Sequence, residues 1–235
     1  MRGWRRARLT GRTKQTATGR TLVFEVPRWP GHRPGQHVDV RLTAADGYQA
    51  VRSYSLAAPA DGERVELGVQ AAPGGEVSPY LADDLPVGAE VEVTGPLGGW
   101  FVWTPQEAGP LLLLAGGSGI VPLMAMVRAR LASPSDEPCT LLHSVRSPDD
   151  VWYAAELDAA AAARHVRVRH LWTRAAPEGA ARPVGRLTGA DLRDLPPPAD
   201  CRCFVCGPTG FVEHAGDLLL AAGYAPGRIR TERFG

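Results

Sequence analysis

The sequence has no long apolar run, no excess of either charge and little cysteine, and each shortage excludes something. Cysteine occurs four times in 235 residues, as Cys139, Cys201, Cys203 and Cys206, three of them inside "CRCFVCGP". Cys-x-Cys-x-x-Cys suggests a metal site, but a fourth ligand would have to come from far away, and no His-x-x-x-His or second Cys-x-x-Cys pair exists. The spacing also misses the plant-type iron–sulfur pattern Cys-x4-Cys-x2-Cys, so no cluster and no metal are expected. A strand would put Cys201 and Cys203 on one face and Cys206 on the other, and the first two read as buried structural thiols. No apolar run approaches the roughly 20 residues of a membrane span. The arginine-rich start is not followed by the apolar stretch of a secretion signal. No membrane partner and a cytoplasmic location are therefore expected. A formal net charge of +1 offers no overall field for nucleic acid, so no nucleic-acid partner is expected either. Arg2, Arg5, Arg6 and Arg8 cluster at the start and read as a solvated tail or as a docking patch for an acidic partner.

What is present is an ordinary globular composition, 44% hydrophobic and 22% charged, written in two grammars. Residues 1–104 carry short β-branched or alternating runs, "TLVFEV", "QHVDVRL", "ERVELGVQ" and "AEVEVTG", separated by glycine- and proline-rich turns. Evenly spaced short strands predict a sandwich or small barrel. One helix is predicted in this half, "EVSPYLADDL", with Ser78 as N-cap and Pro79 at the first helical position. Residues 105–235 alternate strand and helix. "GPLLLLAGG", "CTLLHSV", "HVRVRHLWTR", "CRCFVCG" and "RIRTERF" read as strands. "IVPLMAMVRARLA", "DDVWYAAELDAAAAAR", "TGADLRDL" and "TGFVEHAGDLLLAAG" read as helices, the last closed by Gly223. That alternation predicts a parallel sheet with covered faces.

Two segments of the first half carry chemistry. "RSYSLAAP" gathers a cation, two hydroxyls (Ser53 and Ser55) and a phenol ring where a plain strand would alternate apolar residues. Arg52 can present a bidentate fork to a phosphate, Tyr54 a flat ring to a flat ligand, and Ser55 a hydrogen bond to a polar edge. In "PGGEVSPYL", Gly74 and Gly75 let backbone approach a ligand, and Val77-Ser78 opens a helix whose free N–H groups favour a second phosphate. Together they describe a site for a planar ring joined to a pyrophosphate.

In the second half, Gly116, Gly117, Ser118 and Gly119 form a glycine turn between strand and helix, with Pro122 in the first helical turn. Such a turn cradles a pyrophosphate, although the pattern departs from G-x-G-x-x-G. Ser144 and Arg146 end the next strand where a ribose would lie, and Arg174 ends the one after, with Arg182 and Arg186 close beyond. Arginine there suits a 2′-phosphate, where an NAD-selective site would carry an acid. Cys206, Gly207 and Pro208 end the fourth strand, where ligands of open α/β sheets sit. No acid–His–Cys arrangement is readable around Cys206, so it is not read as a nucleophile. A small-alcohol dehydrogenase is disfavoured because Tyr153 has Leu157, not lysine, four residues on.

The ordered set "RSYS", "GGEVS", "GPLG", "AGGSGIVP", "CGPTG" and "TERFG" resembles the ferredoxin–NADP⁺ reductase superfamily over nearly the whole chain. The resemblance implies an antiparallel flavin-binding β-barrel over residues 1–104, followed by a Rossmann-like NAD(P)-binding α/β domain over residues 105–235. It implies FAD on Arg52, Ser53, Tyr54 and Ser55, with its pyrophosphate on Gly74, Gly75, Val77 and Ser78. It assigns the pyridine nucleotide to Gly116–Pro122 and to Cys206, Gly207 and Pro208. Ser144, Arg146 and Arg174 match positions that grip a 2′-phosphate, so NADP(H) is favoured over NAD(H). Glu232 and Phe234 match the Glu-x-aromatic ending: Glu232 for proton transfer near Ser55 and Cys206, Phe234 as a shield on the flavin. The sequence departs from that ending by carrying Gly235 after the ring. The implied activity is hydride transfer from NADPH to FAD, then single-electron transfer to a separate ferredoxin or other redox protein. The alternatives are a flavin reductase or oxygenase reductase component and, from another class, a non-catalytic nucleotide-binding module.

Overall fold

In the computed structural model the described residues are 3–234, so Arg2 of the arginine cluster and the terminal Gly235 lie outside them. The first half forms a six-stranded antiparallel sheet of β1 (Arg5–Lys14), β2 (Gly19–Glu25), β3 (His37–Thr43), β4 (Gln49–Ser55), β5 (Arg64–Gln70) and β6 (Glu90–Leu97), ordered β4-β3-β6-β1-β2-β5. A bridge between Leu56 and Leu67 joins the two ends of that order and curls the sheet into a barrel. Alternation drives it: Val38 and Val40 of β3, Leu22 and Phe24 of β2 and Leu67 of β5 all point inward and are fully buried.

The arginine-rich start is a strand and not a tail. Ala7 and Leu9 are fully buried in the barrel core, while Arg6 and Arg8 face out and pair with Glu90 of β6 and Glu25 of β2. With carboxylates opposite, these two arginines form cross-strand pairs, which leaves little of the expected docking patch. The predicted helix near residue 78 is also smaller than expected, a single wide turn over Tyr80–Asp84. Ser78 does not cap it; its hydroxyl accepts the Ala72 N–H at 3.1 Å and closes the preceding loop.

The second half is a five-stranded parallel sheet of β7 (Leu111–Gly116), β8 (Cys139–Val145), β9 (Val166–Trp172), β10 (Arg202–Pro208) and β11 (Ile229–Phe234), in the order β11-β10-β7-β8-β9. Its helices are α1 (Ile120–Leu131), α2 (Ala154–Ala161) and α3 (Thr209–Ala221). β7 is buried along its whole length, which explains an unbroken apolar run. The chain runs outward from β7 to β9, then returns to β10 on the other side of β7. The topological switch therefore lies between β7 and β10, where open α/β sheets bind ligands. "TGADLRDL" closes only as a short 3₁₀ turn over Gly189–Leu192, capped by Thr188 and Asp191. The second predicted helix starts late: the turn at Pro148–Asp150 ends where Val151 becomes extended, and α2 begins only after Tyr153, which bends the chain at φ 56°. That bend sends the Tyr153 N–H to Gln15 Oε1 at 2.9 Å, a contact between the two halves.

Helix α1 is buried nearly all round because it lies between sheet and barrel. Val121 fills the space over Gly68 of β5, where a Cβ would collide with it. One cation sits in this seam. Arg128 binds Glu156 of α2 through Nε and Nη2 at 2.6 and 2.7 Å, and Glu66 of β5 through Nη1 at 2.5 Å. Nη1 also donates to the Ala57 carbonyl at 2.9 Å.

Candidate functional site

The parallel register lines up one row across the carboxyl end of the second sheet: Glu232, Cys206, Ala115, His143 and His170. The next row is Arg233, Gly207, Gly116, Ser144 and Leu171. Gly117–Ser118–Gly119 form a 3₁₀ turn that leads directly into α1. Gly117 has φ +54°, and at Gly119 a Cβ would collide with the Cys206 carbonyl. The glycine turn and the Cys206–Pro208 segment thus close on each other at the switch point. Both positions need glycine, one for its conformation and one for the approach of two backbones.

Sheet alternation separates the cysteines as expected. Cys206 packs with the core under α1, and Cys201 and Cys203 pack with the core under α3. Burial, and then the neighbouring charge of Glu232, pushes the Cys206 thiol well above its ordinary value, so it stays a neutral thiol. Glu232 is pushed up by burial to about 7, where it can hold or release a proton near neutral pH. Phe234, at the end of β11, is exposed.

The backbones of Arg146 and Arg174 come together, the Arg174 main-chain N–H donating to the Arg146 main-chain carbonyl at 2.9 Å. Both are exposed, and among the described residues neither has a carboxylate within salt-bridge distance. Arg182 does not join them: its Nε lies 2.7 Å from Asp191, which it shares with the Thr188 turn. Arg186 lends its backbone carbonyl to Arg182.

In the barrel, Arg52 and Tyr54 share one face of the end strand β4. Tyr54 is buried, its hydroxyl has no hydrogen-bond partner among the described residues, and burial raises its pKa to about 12. The guanidinium of Arg52 is exposed and donates to the Val51 carbonyl at 2.7 Å. Ser53 points the other way, its hydroxyl 2.5 Å from Asp39. Ser55 ends the strand opposite His37. Two residues on, Ala57 gives its carbonyl to Arg128. Gly74 turns with φ +72° and has open space around it, and Gly75 donates its N–H to the Ala72 carbonyl. Val77 is buried in the barrel core, so what it offers a ligand is mainly backbone. Beside it, a cavity of about 650 Å³ opens between Ala50 on the Arg52 face of β4, Tyr48 and Tyr80.

Sequence reasoning missed Arg128, Glu66 and His143. The only local signals were two arginines, Arg128 and Arg130, near the end of an otherwise apolar helix and a histidine inside an apolar strand.

The pattern of the oxidoreductase FAD-binding domain family matches residues 6–102, and that of the oxidoreductase NAD-binding domain family matches residues 113–217. The chain is 36% identical over 202 residues to a Ralstonia ferredoxin–NAD(P)(+) reductase component of naphthalene 1,2-dioxygenase/salicylate 5-hydroxylase systems, covering 86% of this chain and 60% of that protein. It is 34% identical over 240 residues to an NADPH oxidoreductase of Mycobacterium tuberculosis, covering 97% of this chain and 60% of that protein. The chain therefore spans about 60% of the length of these relatives. Among solved structures it is similar to an Amycolatopsis cytochrome P450 reductase, with a TM-score of 0.86 and 29% identity over 100% of this chain and 71% of that one. The FAD/NAD-binding domain of a Vibrio cholerae nitric oxide dioxygenase shares the fold, with a TM-score of 0.85, 24% identity and 100% coverage of both chains.

Proposed function

The chain belongs to the ferredoxin–NADP⁺ reductase superfamily, and from that premise we propose that it carries electrons from NADPH through bound FAD to a separate redox protein. Bound FAD would supply the chemistry that couples a hydride donor, a dihydronicotinamide, to one-electron acceptors. The chain's own residues supply binding, orientation and proton handling.

The barrel face suits FAD. The Tyr54 hydroxyl is a buried donor without a partner, of the kind a ligand oxygen or nitrogen satisfies. Arg52 has a guanidinium with no carboxylate on it, and the Gly74–Gly75 loop leaves room for a phosphate against backbone. In this reading Arg52, the Gly74–Ser78 loop and the cavity beside Val77 hold the pyrophosphate and what extends beyond it, and Ser55 faces the ring edge. Ser53, turned to Asp39, serves the strand more than the ligand.

The observation that carries the reading is the closure of the glycine turn on Cys206–Pro208 at the switch point, beside Glu232. It supports a nucleotide whose pyrophosphate meets the turn and whose nicotinamide end meets Cys206, Gly207 and Pro208. Glu232, with its raised pKa, is the group best suited to exchange a proton there. The unpaired Arg146 and Arg174, with Ser144 near them, support NADPH over NADH, since guanidinium pairs favour a dianionic 2′-phosphate. Relatives named as reductase components of a dioxygenase system and of a monooxygenase support an oxygenase component or its ferredoxin as acceptor. A cytoplasmic setting, where NADPH is supplied, belongs to the same proposal.

The test is a visible spectrum of the purified protein with and without added FAD, then anaerobic titration with NADPH and NADH. A yellow protein bleached by NADPH with a KM well below that for NADH supports the reading. Equal KM values defeat the 2′-phosphate assignment, and a colourless protein that takes up no FAD defeats the whole.

A further inference from the structure

His143 lies near the carboxyl end of β8, fully buried, one strand from the glycine turn. Its Nε2 lies 3.0 Å from the carbonyl oxygen of Gly117. A carbonyl only accepts, so Nε2 carries the proton and Nδ1 does not. Nδ1 has no partner among the described residues and is sealed from solvent. Burial lowers the imidazole pKa to about 3, so this tautomer persists across the physiological range. The ring is held in place by His170, 5.7 Å away between centroids, which in turn lies 5.1 Å from Trp172.

The consequence lies in the peptide plane. The Gly117 carbonyl and the Ser118 N–H belong to one rigid peptide unit and point in opposite directions. The carbonyl already accepts the N–H of Ile120, which starts α1. The imidazole takes its second lone pair and pulls the oxygen down toward the sheet. The Ser118 N–H, on the opposite side of that peptide plane, is thereby turned away from the imidazole. Gly117, at φ +54°, has the least intrinsic preference to hold that orientation unaided. We propose that His143 is a positioning residue for dinucleotide binding, a strut beneath Gly117 that aims the Ser118 N–H at the pyrophosphate.

This rests on the reading of the turn as a dinucleotide site, and the experiment separates the two. NADP⁺ and, in parallel, ADP are titrated calorimetrically into the FAD-loaded protein and into His143→Leu, His143→Gln and His143→Asn. Gln places a donor near the Nε2 position; Asn is polar but too short to reach. Losing an aimed donor to a charged oxygen corresponds to about a tenfold weaker Kd. His143→Leu and His143→Asn are expected to lose that factor for both ligands, with His143→Gln recovering most of it. FAD content and reduction by dithionite are expected to stay as in the unaltered protein, with KM for NADPH raised and kcat little changed. A purely structural role would lower FAD content or stability in all three variants without sorting Gln from Asn. If His143→Leu does not fold, the Gln–Asn contrast decides alone. Equal Kd values across the series, or equal losses in Gln and Asn, overturn the strut. If the unaltered protein binds neither NADP⁺ nor ADP, the dinucleotide reading falls, and the strut's purpose with it.

Discussion

Replacing Arg128 with leucine is the most searching perturbation of the seam between the two halves. The substitution leaves Glu66 as a carboxylate with 6% of its side chain exposed, and Glu156 as one with 40% exposed. Stripping the cation from a buried pair costs about 3–5 kcal/mol. Arg64, itself 44% exposed, still reaches Glu66 at 2.7 Å and holds part of that charge. The lost bond to the Ala57 carbonyl adds about 1 kcal/mol. A net destabilisation of about 2–4 kcal/mol follows, lowering Tm by about 2–4 °C per kcal/mol for a chain of this size. Glu156→Ala, by contrast, removes a half-exposed partner and is expected to cost no more than about 1 kcal/mol. Glu66→Gln falls between them. The functional effect has its own signature. Ala57 lies two residues past Ser55, and α1 starts at the glycine turn, so loosening Arg128 lets the end of β4 and the glycine turn drift apart. Stopped-flow reduction by saturating NADPH is therefore expected to slow more than nucleotide Kd rises. Thermal melts and stopped-flow traces of the three variants test this. Arg128→Leu no less stable than Glu156→Ala, or a loss confined to Kd, would refute the reasoning.

Three further outcomes are expected. Tyr54→Phe removes a buried hydroxyl that has no partner, so the FAD-free protein is expected to keep or gain up to about 1 kcal/mol in urea unfolding, while FAD binds about five- to tenfold more weakly; unchanged FAD affinity removes the hydroxyl from the site. Gly119→Ala puts a methyl group into the Cys206 carbonyl, so NADPH reduction is expected to collapse while FAD content holds, and near-normal reduction would mean that the two segments need not touch. Glu232 has its carboxyl raised from 4.5 to about 7 by burial, so its neutral form favours the folded state. That contribution is complete below pH 4.5 and is lost as pH rises through about 7, on the order of 3 kcal/mol in the FAD-free protein. Glu232→Gln is expected to flatten this part of a stability–pH curve, and a slope that persists in the variant assigns it to another group.

The parts of the fold legible in the sequence were those whose causes are local. The apolar run of β7, the glycine turn into α1 and the φ +88° of Gly223 past α3 each follow from a few adjacent residues. β1 was hidden because its outward face is arginine; what makes it a strand is its backbone pairing with β2 and β6 and the burial of Ala7 and Leu9, with the carboxylates opposite serving only the outward face. The turn at Tyr80 was overread because Ser-Pro before an acidic stretch is a helix start only where the chain has room to continue, and here Leu85 leaves it in an extended conformation. Arg146 and Arg174 were each visible, but the backbone bond joining them crosses from one strand end to the next. Arg182 had the same local appearance and differs only through Asp191.

The residues that stayed invisible share one property: their partners are supplied by the packing of separate elements. Helix α1 shows why this matters for the site. Its first turn closes on Cys206, with the Gly117 carbonyl held beneath it by His143, and its last turns hold the Ala57 carbonyl through Arg128. One helix, too apolar to stand in water, therefore ties the glycine turn to the strand that carries Arg52, Tyr54 and Ser55. Burial of α1 on both sides is what fixes the relation between the two proposed binding surfaces, so the core of the seam and the geometry of the candidate site are one structure.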